Sequence, residues 1–405
     1  VTRVVLGVLR LGPVAYLMSE PVLLGFTSAA AVLILASQLP VIFDVTAEGD
    51  GVLARGWWTL THPGQWEPAA LALAAITLVL MLLGPRIHRL FPGVLAAVAL
   101  GTILSAAGGY DGSTIGELPG GFLSLNGTFP WGETAGLLLP GVVIALVGFA
   151  EPASIARTFA TADRQHWDAS RELVSQGVAN LASAVSGALP VGGSFSRSAL
   201  NRLAGASTRW SGAITGLLLL LFLPFSPVLE DLPRAILGAI VFGAGYKLVQ
   251  SRSMVDLWSQ SPPQAALAWT TFGVTLAMAP RIDLGILAGV GLAILRHVWL
   301  EAKMRADVDY DAGTLTIRPS GVIWFVSTPA LEDLLIDHLA DHPDARRLVI
   351  DLAQAGRIDY TGAAAVARVV VDARAAGLEA EVVAIPPRTR RTLTDLLSES
   401  GTDGA

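Results

Sequence analysis

The 405 residues contain no cysteine, and only 15% of them are charged. Without thiols the chain forms no disulfides, carries no thiolate nucleophile and binds no metal through sulfur. The six histidines show no metal-ligand spacing, and His88 and His166 read as solvated loop residues. There is no nucleophile elbow and no paired-carboxylate hydrolase pattern, so the sequence calls for neither an enzyme nor a cofactor. A formal net charge of −6 argues against nucleic acid as a partner.

What is present is apolar: 53% of the residues are hydrophobic, more than an ordinary water-soluble domain carries. The long apolar runs lie in residues 1–300, whereas the last hundred residues are mixed and rich in Asp and Arg. Two domains are expected, 1–305 in lipid and 306–405 in water. Residues 1–12 read as the end of a helix already in progress, not as a signal peptide, so an N-terminally incomplete chain is expected.

A spanning helix needs about 20 mostly apolar residues. The candidate spans run up to about residue 17, then over 21–40, 68–84, 92–108, 135–158, 173–189, 195–204, 211–223, 233–248, 265–279 and 284–300. Loop charges test this layout, because one side of the membrane collects Lys and Arg. One set of connections, from Arg3 and Arg10 to Lys303 and Arg305, holds fourteen; the alternate set holds only Arg55, Arg234 and Arg281. The asymmetry requires 195–204 to complete a crossing and places the tail in the cytoplasm. Trp57, Trp58, Trp66 and Trp131 then fall in outer loops, as interfacial anchors. After Asp309, strands are expected at 314–318, 322–326, 347–352 and 380–385, and helices at 328–339, 361–376 and 387–397. That alternation implies a small α/β domain with a largely parallel sheet.

The stretch S-G-A-L-P-V-G-G-S-F-S-R-S-A-L-N, residues 186–201, interrupts two apolar runs with polar and glycine residues. It reads as an extended piece feeding a helix that begins near Ser194. At membrane depth such backbone is tolerated where it is buried in protein or lines a cavity. A helix starting there aims free N–H groups and the positive end of its dipole into that cavity, which suits an anion. Gly192 and Gly193 allow close approach, and Ser194, Ser196, Arg197 and Ser198 can cap the helix or meet an anion. The competing reading is a capped helix end with Arg197 snorkelling or paired to an acid.

Glu151 is the only carboxylate within 135–158, and Pro152 follows it, freeing the carbonyl of Gly148. Helical spacing places Val147, Glu151, Ser154 and Thr158 on one face. A carboxylate withdrawn from water holds its proton more readily, so Glu151 is a candidate proton carrier. It also suits a cation site with Thr158 and the freed carbonyl as co-ligands, or an ion pair with Arg197. Gln38, Asn180 and Asn201 read as interhelical hydrogen-bonding residues.

The runs G-V-L-R-L-G and L-M-S-E-P-V-L-L-G-F-T-S-A-A-A-V-L-I-L-A-S-Q-L, then V-G-F-A-E-P-A-S-I-A-R and P-V-G-G-S-F-S-R-S-A-L-N, resemble successive signatures of the SulP family of sulfate permeases. V-I-D-L followed by I-D-Y-T-G resembles a STAS domain. The resemblance implies a polytopic α-helical transporter of seven-plus-seven inverted repeats, with the segments before the end of the fourth absent, and a cytoplasmic α/β STAS tail. It further implies a secondary active transporter of sulfate, bicarbonate or a dicarboxylate, in the inner membrane and dimeric; a protonatable Glu151 points first to coupling by H⁺, with Na⁺ coupling and electroneutral exchange as the alternatives. By the same resemblance the anion meets Gly193, Ser194, Phe195, Ser196 and Arg197, Glu151 lies in a segment that lines the site, and the facing half-helix is missing; the coupling role stays with Glu151 and Thr158. Thr361 stands where related domains carry a phosphorylated serine; its alternative role is an N-cap beside Asp359. A nucleobase transporter of related architecture, or a regulatory membrane module whose tail recruits a cytoplasmic partner, are the rival readings.

Overall fold

The computed structural model describes residues 1–13, 19–88, 91–118, 121–122, 125, 127–129 and 131–399, with backbone alone for Phe195, Ser196 and Glu399. Part of the first expected span, 14–18, lies outside the described residues. Two compact units divide the chain, Val1–Gly291 and Leu292–Ala405.

The first unit is helical: α1 (Thr2–Val8), α2 (Glu20–Ile42), α3 (Val52–Thr61), α4 (Pro68–Ile87), α5 (Gly93–Leu104), α6 (Thr134–Asp163), α7 (Ala169–Val185), α8 (Phe195–Leu203), α9 (Trp210–Phe222), α10 (Arg234–Gly245), α11 (Ser251–Gln260), α12 (Pro262–Ala277) and α13 (Ile282–Ala302), which runs across the division. Among the described residues, five helical stretches are long and apolar enough to cross a membrane: Glu20–Ile42, Pro68–Ile87, Trp131–Asp163, Trp210–Leu229 and Ile282–Ala302. The other expected spans are shorter. The span at 233–248, for example, closes as α10 and tightens into a 3₁₀ turn at Tyr246–Leu248. Starts follow local chemistry: Pro21, Pro68 and Pro262 sit in first turns, where a missing N–H costs nothing, and Asp168 caps α7 through the amides of Ser170 and Arg171.

Two groups of helices pack separately. In one, α2 lies against α12, α10 and α3, and α10 also meets α4. The crossing of α2 with α12 is set by glycine, since a Cβ on Gly25 would strike the carbonyl of Ala268. In the other group α1 packs on α7, and α6 touches both α1 and α8. There Gly7 meets the carbonyl of Ser170, leaving 2.6 Å for a Cβ. Helices α3 and α11 correct the expectation of loops: each is ten residues with apolar side chains on one face only, too short to register as a span. The tryptophans divide accordingly. Trp57 and Trp131 are exposed, whereas Trp66 is half-buried, its ring tilted against Phe43 at a centroid distance of 4.2 Å, and it donates from Nε1 to the Thr59 carbonyl, so it also packs within the helical unit. A strap at one end joins 113–116 to 230–234 by backbone hydrogen bonds. Buried Tyr110 donates to Asp44 there, and burial together with that carboxylate pushes the phenol well above its ordinary range.

The second unit holds β1 (Arg305–Asp311), β2 (Thr314–Ile323), α14 (Thr328–Asp341), β3 (Arg347–Asp351), β4 (Ala355–Ile358), α15 (Tyr360–Ala375), β5 (Glu379–Val383) and α16 (Arg390–Glu399). The sheet order is β1-β2-β3-β5, with β4 on β2; β1 is antiparallel and the remaining pairs are parallel. Strand β1 was not expected, because R-A-D-V-D-Y-D offers only Ala306, Val308 and Tyr310 to the core between charged neighbours. The two strands expected at 314–318 and 322–326 are one strand, β2, ending at Ile323. Leu315, Ile317, Leu348 and Ile350 are fully buried against Leu331 and Leu335 of α14, Val366 and Val370 of α15 and Leu393 of α16.

Tyr310 donates to Asp344 at 2.7 Å. That bond, with the Asp344 backbone amide and His342 assisting, holds the Asp344 carboxyl below the usual range. A depressed carboxylate stabilises the fold above its unfolded value of about 3.9, and the contribution disappears as pH falls through the lowered folded value. Tyr310→Phe is therefore expected to move the Asp344 midpoint upward in an NMR titration of the carboxyl carbon and to weaken that acid-side dependence. An unmoved midpoint would refute the assignment.

Candidate functional site

Helix α6 has 30 residues, about 45 Å at the α-helical rise. Pro152 lies inside it, so the carbonyl of Gly148 loses its helical donor, and Gly148 itself, with no side chain, leaves a notch in the helix surface. The extended run before α8 lies in this notch. A Cβ on Gly193 would come within 3.1 Å of the Pro152 ring, and one on Gly192 would sit 3.5 Å from the Gly148 carbonyl.

Side chains, not a neighbouring strand, satisfy the run's backbone. Asn180 of α7 accepts from Val191 N at 3.0 Å and donates to Val191 O at 2.9 Å, as a strand partner would. One turn along, Ser183 donates to Leu189 O at 2.6 Å. Arg3 adds a third contact, from Nη1 to Val191 O at 3.3 Å.

The run ends at Ser194, which is extended (φ −140°, ψ 124°) and makes no side-chain cap. Ser198 N bonds back to Ser194 O at 2.9 Å, so the amides of the first turn before it have no intrahelical acceptor. Arg197 is exposed in that turn. The side chains of Phe195 and Ser196 lie outside the described residues. The far end of α8 is anchored: Arg202 pairs with Asp163 at the end of α6, and its guanidinium lies 4.9 Å from the Phe159 ring centroid. Asn201 accepts from Ser211 at 2.5 Å.

Glu151 immediately precedes the proline that Gly193 touches, so the structure brings Glu151 and the start of α8 to one level of α6. Glu151, Ser154 and Thr158 are all exposed on that helix, while Pro152, Ala153 and Ile155 are buried. Thr158 stands apart. It is two turns, about 10 Å, along the axis from Glu151, and its hydroxyl donates to the Ser154 carbonyl at 2.8 Å. In the tail, Thr361 is exposed at the second position of α15. The cap is Asp359, which accepts from Gly362 N at 2.8 Å and Phe325 N at 3.3 Å, so the reading of Thr361 as N-cap is corrected. Among the described residues no group of His, Cys, Asp or Glu is arranged to hold a metal.

Sequence reasoning missed Arg3, which it counted among loop cations. The structure buries Arg3 to 5% exposure inside the bundle. It also assigned Asn180 to helix pairing, when its amide holds the extended run, and Gln38 to the same task, when it bonds to Ser37. The one available signal was spacing: Gln176, Asn180 and Ser183 share a face of α7.

A family model described as the sulfate permease family matches residues 1–271, and a STAS domain model matches 305–398. The chain belongs to the sulfate permease family. Among relatives in that family, probable sulfate transporter 4.2 of Arabidopsis thaliana is 29% identical, over 89% of this chain and 59% of its own length. Probable sulfate transporter MT1781 of Mycobacterium tuberculosis is 31% identical, over 71% of this chain and 52% of its own. The chain thus spans little more than half the length of these relatives. The fold is that of a helical multi-span membrane protein with an α/β STAS tail. Murine solute carrier 26 family member A9, an anion transporter solved in the inward-facing state, matches with a TM-score of 0.87 at 18% identity, over 97% of this chain and 69% of that one. The transmembrane domain of a cyanobacterial bicarbonate transporter, BicA, matches with a TM-score of 0.58 at 23% identity, over 72% and 73% of the two chains.

Proposed function

We propose that this chain forms the transport and regulatory parts of a secondary active transporter for a small anion, with residues 1–305 in the membrane and 306–405 as a cytoplasmic domain. The observation that carries this is the start of α8: amides with no intrahelical acceptor and the positive end of a helix dipole, beside the exposed Arg197 and level with Glu151. Gly193 and the backbone of Ser194, Phe195 and Ser196 supply the donors, and Arg197 supplies charge. The sulfate transporters among the relatives support an oxyanion as cargo, and the bicarbonate transporter with the same fold supports a second small one. Glu151 is the coupling group for H⁺ or Na⁺, and Thr158 is set too far along α6 to share a ligand sphere with it. The protein works in the inner membrane as a homodimer. A phosphate on Thr361 would meet the Asp359 carboxylate at the same helix start, so modification there would weaken the existing cap.

Reconstitution of the full-length protein and a radiolabelled panel of sulfate, bicarbonate, a dicarboxylate and uracil tests this reading. Saturable uptake of one anion class is expected. Uptake of uracil alone would reassign the protein to nucleobases, and no uptake with a stable cytoplasmic partner would favour the regulatory module.

A further inference from the structure

Arg3 is a cation removed from water, and among the described residues no carboxylate pairs with it. Its Nε donates to Ala145 O at 2.9 Å, Nη2 to Ile144 O at 3.4 Å, and Nη1 to both Gln176 Oε1 at 3.2 Å and Val191 O at 3.3 Å. All four acceptors are neutral oxygens. The nearest link to an acid is indirect, since Gln176 donates onward to Glu172 at 2.8 Å. A buried guanidinium held only by carbonyls and an amide is costly unless its geometry is fixed, and the planar fork fixes it.

The surroundings are shaped for that one group. A Cβ on Gly148 would run into the Nη2 of Arg3, so the notch of α6 accommodates the guanidinium as well as the extended run. Gly177 lets α7 approach α1 so closely that a Cβ there would lie 2.8 Å from Val4 N. Arg3 therefore reaches three partners at once: α6 one to two turns before Glu151, α7 through Gln176, and the run three residues before Ser194.

We propose that Arg3 is a positioning residue for the anion site: its fork ties the Val191 carbonyl to α6 and α7, and so sets where the start of α8 stands relative to Glu151. This rests on the anion-transport reading above. A lysine keeps the charge but cannot reach carbonyls on α6 and the run together, because one ammonium replaces donors spread over a rigid plane. Asn180 holds the same residue from the other side, so the two ties act on one object and their losses should not add.

The test uses the full-length protein, reconstituted, with sulfate as the probe. Arg3→Lys is expected to speed amide exchange across residues 188–194 about tenfold. The same variant should raise the KM for sulfate about tenfold while kcat falls less. Asn180→Leu should do the same, and the double variant should lose little beyond the worse single one. Where Arg3→Lys lowers the melting temperature so far that folding is in question, Gly148→Ala supplies a second variant: it displaces the guanidinium with every charge retained, and the same pair of changes is expected at smaller size. Unchanged exchange over 188–194 together with a KM within twofold of the unsubstituted protein, in either variant, would overturn the proposal. Fully additive losses would overturn the shared-object argument. Failure of the unsubstituted protein to bind sulfate would count against the anion reading itself, and the exchange result would still decide whether Arg3 holds the run.

Discussion

Replacing Glu151 by Gln is expected to abolish gradient-driven accumulation of the anion while leaving exchange of labelled for unlabelled anion across the membrane. Glutamine matches the carboxyl in shape and hydrogen-bonding reach but can neither take nor release a proton, so a cycle requiring both states halts at coupling rather than at binding. A pH difference of one unit stores about 1.4 kcal/mol per proton, enough for about tenfold accumulation at one-to-one coupling. In vesicles carrying that gradient, the inside-to-outside ratio should fall from near tenfold to near one. Repeating the measurement with a Na⁺ gradient distinguishes the two coupling ions, and accumulation by Glu151→Gln under both gradients would remove Glu151 from the mechanism.

The second large effect concerns the notch. At Gly193 a Cβ would press within 3.1 Å of Pro152, and the ring cannot swing aside because it is closed onto its own backbone. Gly193→Leu must therefore lift the run away from α6 and carry the first turn of α8 with it. A displacement of about 1 Å in a preorganised site costs on the order of 10²-fold, and a loss of that size is expected in sulfate affinity measured by calorimetry. The adjacent glycine is the control. A Cβ on Gly192 would meet the Gly148 carbonyl at 3.5 Å, an ordinary contact, so Gly192→Ala should stay within about threefold. Equal losses at both positions would show that flexibility of the run, not its seating on Pro152, is what matters.

The parts of this molecule that depend on local pattern could be read from the chain alone. Apolar length marked the membrane unit, the change of period after Asp309 marked the tail, and the glycine- and serine-rich break at 186–201 marked the start of α8. What escaped was set by partners distant in sequence. Arg3 and Val191 are 188 positions apart, and nothing near either residue announces that a lone arginine in an apolar helix will find carbonyls instead of water. Asn180 escaped for a related reason: an asparagine in a helix next to an extended run can bond to either a helix or a strand-like backbone, and spacing alone does not choose. In the tail, β1 hid because only one face of an edge strand needs to be apolar. Thr361 and Asp359 show the reverse case, in which both residues were noticed and only geometry decided which one caps α15.

Gln176, Asn180 and Ser183 all project from one side of α7 toward the run, the first through Arg3 and the others directly. The run has no shape of its own to fall back on, since its hydrogen bonds end on α7 and on Arg3 of α1, helices it does not belong to. Its path is therefore an imprint of the angle at which α7 is turned. Rotating α7 by a single residue position, about 100°, would withdraw all three supports together, so a substitution on the opposite side of α7 that merely turns the helix should be felt at Ser194 as strongly as one made beside it.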